Sequence, residues 1–182
     1  MLPDFAAVRE GRTSYADLTR DLTPADLPNL LGELYDTIEF IVGDATDQAV
    51  TFVPRDPHLE DETKEAYTLG HVIVHLTAGC EEMSMLGLTL ARGVPVEGRS
   101  RYETPWETMK TAAQLRQRLV ESRRMCLSMR GAWPDEPHLD LTHTIIPQFG
   151  PLTAVGVTLM GPFHADNHLE QLREIMRQAG NL

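Results

Sequence analysis

Four stretches of this chain repeat apolar residues at helical spacing, and that pattern constrains its fold more than any other feature. Side chains three, four and seven apart share one face of an α-helix, and an apolar face must be covered. The clearest stripe lies within residues 24–46: Leu27, Leu30, Leu31, Leu34, Ile38, Ile41, Val42 and Ala45. Thr23 is placed to cap this helix, Pro24 suits its first turn, and Asp26 complements the helix dipole. A second helix is predicted over 64–92, with Leu69, Val72, Leu76, Met83, Leu86 and Leu90 as its stripe. Gly79 falls on that stripe and allows a neighbouring helix to come close; Gly93 and Pro95 end it. The third runs over 105–130, with Thr104 as N-cap and Glu107 completing a capping box. Its apolar positions are Met109, Ala112, Ala113, Leu115, Leu119, Met125 and Leu127. The fourth covers 152–177, closes at Gly180, and contains Pro162, which predicts a kink one turn before His164.

The connections differ in character. Residues 52–62 hold Pro54, Pro57 and several acids, and read as a loop. Residues 132–151 hold Trp133, Pro134, Pro137 and Pro147; there Leu139, Leu141, Ile145 and Ile146 suit a short strand pair or an extended excursion. No repeat or low-complexity tract is present. Four long helices in 182 residues predict one domain over 1–182, an all-α four-helix bundle.

Composition removes several functional classes. The net charge is −11, and no Lys/Arg run exists beyond Arg123-Arg124, so a nucleic-acid backbone or an anionic membrane surface is a poor partner. Charge or glycine interrupts every apolar stretch well short of ~18 residues, which predicts no membrane span. The N-terminal residues lack a basic-then-apolar pattern, so no signal peptide is expected and the cytoplasm is the expected location. Cys80 and Cys126 lie far apart in helical stretches and read as small buried hydrophobes, with no disulfide expected. The glycine-rich phosphate loop, the dinucleotide fingerprint and the Gly-x-Ser-x-Gly elbow are all absent, which disfavours nucleotide and α/β-hydrolase chemistry.

Histidine placement carries the functional signal. Two pairs sit four residues apart: His71 with His75 on the second helix, His164 with His168 on the last. Such pairs occupy one helix face, one turn apart. On the second helix, wheel arithmetic puts His75 about 70° and His71 about 110° from the stripe centre, so His75 reaches the interior edge and His71 the flank. On the last helix, Leu169, Leu172, Ile175 and Met176 define the buried face; His168 falls inside it and His164 on its edge. A buried imidazole needs partners for both nitrogens, and a metal ion on one with an acceptor on the other supplies them. Simple hydrogen bonding of core histidines is the competing explanation. A carboxylate-bridged two-metal site would need Glu-x-x-His motifs, which neither histidine-bearing helix has. His58, His138 and His143 fall in predicted loops and read as solvated; His143 is the one placed to approach a bundle end.

Two short motifs resemble those of the DinB-like (YfiT-like) bundle superfamily, named for a damage-inducible protein. Tyr67-Thr68-Leu69-Gly70-His71-Val72-Ile73-Val74-His75-Leu76 is similar to the aromatic-to-His-Leu run of that family, with His75 in the ligand position. His164-Ala165-Asp166-Asn167-His168-Leu169-Glu170-Gln171 is similar to its His-x-x-His-His-x-x-Gln motif, with Asn167 where many members carry a histidine. The resemblance implies an up-down-down-up four-helix bundle with a metal, often zinc or nickel, near one end, held here by His75, His164 and His168. It also implies a possible low-molecular-weight thiol cosubstrate such as bacillithiol or mycothiol.

The functional expectation is a divalent-metal-binding protein acting on a small molecule, as a thiol-dependent S-transferase or related enzyme. Catalytic residues are not assigned; Gln171, Glu82 and His71 are candidates for supporting the ligands or touching substrate. A metal-dependent hydrolase and a non-enzymatic, stress-related metal-binding bundle are the alternatives. A homodimer is expected from the resemblance and from the long helices.

Overall fold

A computed structural model describes residues 1–55, 67–99 and 103–180. His58 and the predicted start of the second helix at Lys64 lie outside them. The first described elements are two short helices the periodicity did not reveal, α1 (Phe5–Arg9) and α2 (Tyr15–Thr19). Asp4 and Ser14 cap them by accepting from Ala7 N–H and Asp17 N–H. Each is only five residues long, too short for a period of 3.6 to register, and each is held by one buried aromatic, Phe5 or Tyr15.

Helix α3 (Leu27–Val42) buries the anticipated stripe, with Leu27, Leu31, Leu34, Ile38 and Val42 fully enclosed. A one-turn helix, α4 (Asp47–Thr51), follows, and then α5 (Leu69–Ala91), capped by Thr68 accepting from His71 N–H. Helix α6 spans Ala112–Gly131, seven residues later than expected. Trp106–Thr108 forms only a single 3-10 turn. The working capping box is Thr111 with Gln114, reinforced by Asp47 Oδ1 accepting from Ala112 N–H at 2.8 Å.

The predicted last helix is two helices, α7 (Ala154–Asp166) and α8 (Leu169–Ala179). Pro162 lies within α7, and the interruption falls instead at Asn167–His168. There the backbone tightens to three-residue hydrogen bonds, from Asn167 N–H to the His164 carbonyl and from His168 N–H to the Ala165 carbonyl. The excursion before α7 carries one minimal antiparallel pair, β1 (Thr142–His143) with β2 (Leu152–Thr153), in register Thr142 with Thr153 and His143 with Leu152. Of the residues suited to a strand pair or an extended excursion, Ile145 and Ile146 lie in the turn between the two strands.

Side-chain contacts fix the helix directions. Helices α5 and α6 run parallel: Gly70 lies against Met109, Thr77 Oγ1 accepts from Arg118 Nε at 2.9 Å, and Glu81 pairs with the same guanidinium at 2.8 Å. Helices α3 and α6 run antiparallel: Tyr35 bonds Ser122 at 2.7 Å, Asp36 pairs with Arg123, and Arg130 donates to the Pro24 carbonyl. Helices α5 and α7 also run antiparallel, with His75 opposite His164 and Cys80 opposite Gly161. A Cβ on Gly161 would stand 2.8 Å from Cys80 Cα, so only glycine permits that helix approach. The order is up-down-down-up, with α7 and α8 together forming the fourth rod. Cys80 and Cys126 are free and buried in the bundle core, and burial pushes both thiols up. No helix among the described residues is long and apolar enough to cross a membrane.

The N-terminal helices close one flank of this fourth rod. Phe5 and Tyr15 pack edge-on against Phe163, Phe149 stacks on Tyr15, and Tyr15 Oη donates to the Gly156 carbonyl at 2.8 Å. Arg9 pairs with Asp166 at 2.8 Å, beside the last turn of α7.

Candidate metal centre

The antiparallel approach of α5 and α7 brings His75 and His164 face to face, and the break after Asp166 adds His168. Potential ligand nitrogens of these three residues all lie within 4.8 Å of one another. Their ring centroids are 4.8, 4.9 and 5.2 Å apart, and each pair of rings is close to perpendicular. Gly79, one turn beyond His75, makes room: a Cβ there would stand 3.3 Å from His164 Cδ2.

The far nitrogens settle which atoms face inward. His75 Nδ1 lies 2.7 Å from Glu103 Oε1, and a carboxylate only accepts, so Nδ1 carries the proton and Nε2 presents a lone pair. His168 Nδ1 lies 2.8 Å from Gln171 Oε1, which fixes the same tautomer there. His164 Nε2 then donates its proton to His75 Nε2, across 2.8 Å. His168 serves as the N-cap residue of α8 without making a side-chain cap, so its ring is available to the cluster.

The electrostatics favour neutral rings at His164 and His168. Burial, with the neighbouring His168 and His75, pushes His164 down to about 4. Burial also lowers His168, against the opposing effect of the hydrogen bond it donates to Gln171. Three imidazoles packed together, two with their outer nitrogens already bonded to acceptors, form a donor set suited to a divalent cation. In a tetrahedral site with bonds of ~2.1 Å the ligand nitrogens stand ~3.4 Å apart, so with metal bound the Nε2 atoms of His75 and His164, now 2.8 Å apart, would separate and His164 would give up its Nε2 proton.

A cavity of about 340 Å³ opens beside His75 and His164. Its apolar wall includes Met83, Ile145, Ile146 and Met160; its polar wall is Glu82, Arg99 and Glu103. Arg99 and Glu82 face each other in a two-bond pair at 2.6 and 3.2 Å.

The candidates read from sequence thus separate. His75, His164 and His168 meet. Gln171 sits against His168, and Glu82 lines the cavity. His71 does not join the cluster: its ring is stacked between Tyr67 at 3.8 Å and Trp106 at 4.6 Å. His138 hydrogen-bonds through its backbone to Ala91, and its ring packs beside Gly93, away from the cluster. Glu103 and Arg99 went unread in the sequence because they lie in a connection, where no periodicity marks an inward-facing residue.

Fold and site together describe a helical bundle with a three-histidine cluster that could hold a metal ion. The chain belongs to the DinB superfamily, whose family profile matches residues 30–172. No curated protein and no solved structure gives a match.

Proposed function

We propose that this protein is a metal-dependent enzyme acting on a small molecule, with His75, His164 and His168 as the protein ligands of one divalent cation, zinc or nickel. The observation that carries the reading is the convergence of three imidazoles beside a cavity of about 340 Å³, a volume in the range of small-molecule sites. A divalent ion held there would supply Lewis acidity, which lowers the pKa of a bound thiol or water.

The chain's own residues do the rest. Glu103 and Gln171 keep protons on the outer nitrogens of His75 and His168, so both Nε2 atoms remain available. His164 must carry its proton on Nδ1, away from His75, to offer Nε2 as well. Met83, Ile145, Ile146 and Met160 exclude water from one side of the cavity and seat an apolar portion of the substrate. A low-molecular-weight thiol as cosubstrate follows from the family resemblance and makes S-transfer the leading reaction.

Metal content by elemental analysis tests the site, wild type beside His164→Ala. About one metal per chain in the wild type and none in the variant is the expected result; equal metal in both removes the three-histidine assignment. The cobalt-loaded protein tests the thiol. A change in the visible spectrum on adding a thiol supports transferase chemistry, and an unchanged spectrum turns the reading toward hydrolysis or toward binding without turnover.

A further inference from the structure

Glu82, His75, His71 and Gly70 follow one another along α5 toward its N-terminus. The connection to α6 meets them in the opposite chain order: Arg99 on Glu82 at 2.6 Å, Glu103 on His75 at 2.7 Å, Trp106 on His71 at 4.6 Å, and Met109 against Gly70. The parallel α5–α6 pair makes this necessary. Helix α5 ends at the far end of the bundle from the start of α6, so the chain must return along roughly 30 Å of helix.

Glu103 itself is held weakly. Its side chain is 39% exposed, and an exposed carboxylate on an irregular segment gains little from a single hydrogen bond once its side-chain entropy is counted. Its two neighbours are held better. Arg99 makes two bonds to Glu82, whose side chain is only 9% exposed. Trp106 lies parallel to His71, with 3° between the ring planes, and His71 lies in turn on Tyr67. The imidazole of His71 is therefore covered on both faces.

We propose that the Tyr67–His71–Trp106 stack, with the Arg99–Glu82 pair, positions Glu103, which then holds His75 with Nδ1 protonated and Nε2 aimed at the other two histidines. His71 is a stacking platform in this arrangement and not a ligand. Glu103, Trp106 and His71 are positioning residues: they act on any bound ion only through His75. The affinity arm of the test rests on the metal-centre reading; the tautomer arm does not.

The first arm uses metal-free protein and long-range proton–nitrogen NMR of the histidine rings. Wild type should show His75 protonated on Nδ1. Glu103→Ala should lose that preference and Trp106→Leu should weaken it, while His168, held by Gln171, keeps its own. The second arm measures zinc affinity by competition with a colorimetric chelator, on variants matched for helical circular dichroism. Glu103→Ala should weaken binding by about 10- to 100-fold, the usual effect of removing a hydrogen-bond partner of a ligand. Trp106→Leu should weaken it roughly two- to tenfold, the worth of one aromatic stack, and the double variant should bind no more weakly than Glu103→Ala alone. His71→Ala should behave as Trp106→Leu, and His71→Phe, which keeps a ring in the stack, should recover most of the loss. The proposal is overturned if Trp106→Leu leaves the His75 tautomer as in wild type, if the double variant is additive, or if His71→Phe is as damaging as His71→Ala. Wild-type protein that takes up no zinc removes the metal reading, and the tautomer arm then decides the positioning role alone.

Discussion

The two histidine pairs have the same spacing and opposite fates. On α5, an unbroken helix, His75 turns into the cluster and His71 turns out to an aromatic stack. At the α7–α8 junction both members, His164 and His168, turn in. The difference is the helix break. A continuous helix rotates residue i+4 by about 40° from residue i, so a pair at the edge of a buried face sends only one ring inward. The tightened backbone at Asn167 ends α7 and lets His168 start the next helix from a position no continuous helix would give it. A helix carrying two histidines four apart is thus a weaker predictor of two ligands than a helix that stops between them.

Substitutions can break this asymmetry. The largest effect is expected from His168→Ala or His164→Ala, which leave two imidazoles and should abolish stoichiometric metal uptake, whereas His71→Phe retains it; elemental analysis distinguishes the three. Next comes Leu172→Ala. Leu172 is fully buried in α8, and its truncation should cost about 2–5 kcal/mol in urea unfolding. It should also loosen the α8 half of the cluster more than Leu76→Ala, equally buried on α5, loosens the His75 half. Equal losses of metal affinity from the two leucines would argue that the junction holds its ligand as rigidly as the continuous helix does. Gln171→Ala should weaken metal binding by about 10-fold or more through His168, which a chelator competition will read.

The remaining effect is in pH. His164 sits at about 4 in the folded metal-free protein, below the ~6.5 of an unfolded histidine. Between those values the unfolded chain binds the extra proton, so stability falls as pH drops from ~6.5 toward 4 and is unaffected by this group at higher pH. Thermal melts of metal-free protein across that window should show a shallower slope in His164→Ala than in wild type.

The bundle was legible because its stripes are long. The Leu27–Val42 pattern alone commits one helix, and the burial of Leu31, Leu34 and Ile38 follows it. The start of α6 was misplaced because the sequence offers two capping boxes seven residues apart, Thr104 with Glu107 and Thr111 with Gln114. Local chemistry cannot rank them. The choice is tertiary: the second is the one whose N-terminus meets Asp47. The family motifs pointed to His75, His164 and His168, and the structure brings those residues together. Wheel arithmetic had set His71 on the flank of α5, with Tyr67 four residues before it, but Trp106 covers its other face from a connection that periodicity does not describe. Glu103 and Arg99 reach the cavity through the same connection.

The parallel arrangement of α5 and α6 has a kinetic consequence. Neighbouring helices joined by a short turn can zip as a local hairpin, but these two cannot, and His75 meets His164 across 89 residues of sequence. Both features raise the average separation of native contacts and so slow folding. The three histidines come together only where the fourth rod has docked on α5. An ion held by them would act as a latch on that docked rod, and to the extent that its bonds form after the folding transition state it would slow unfolding and leave folding unchanged.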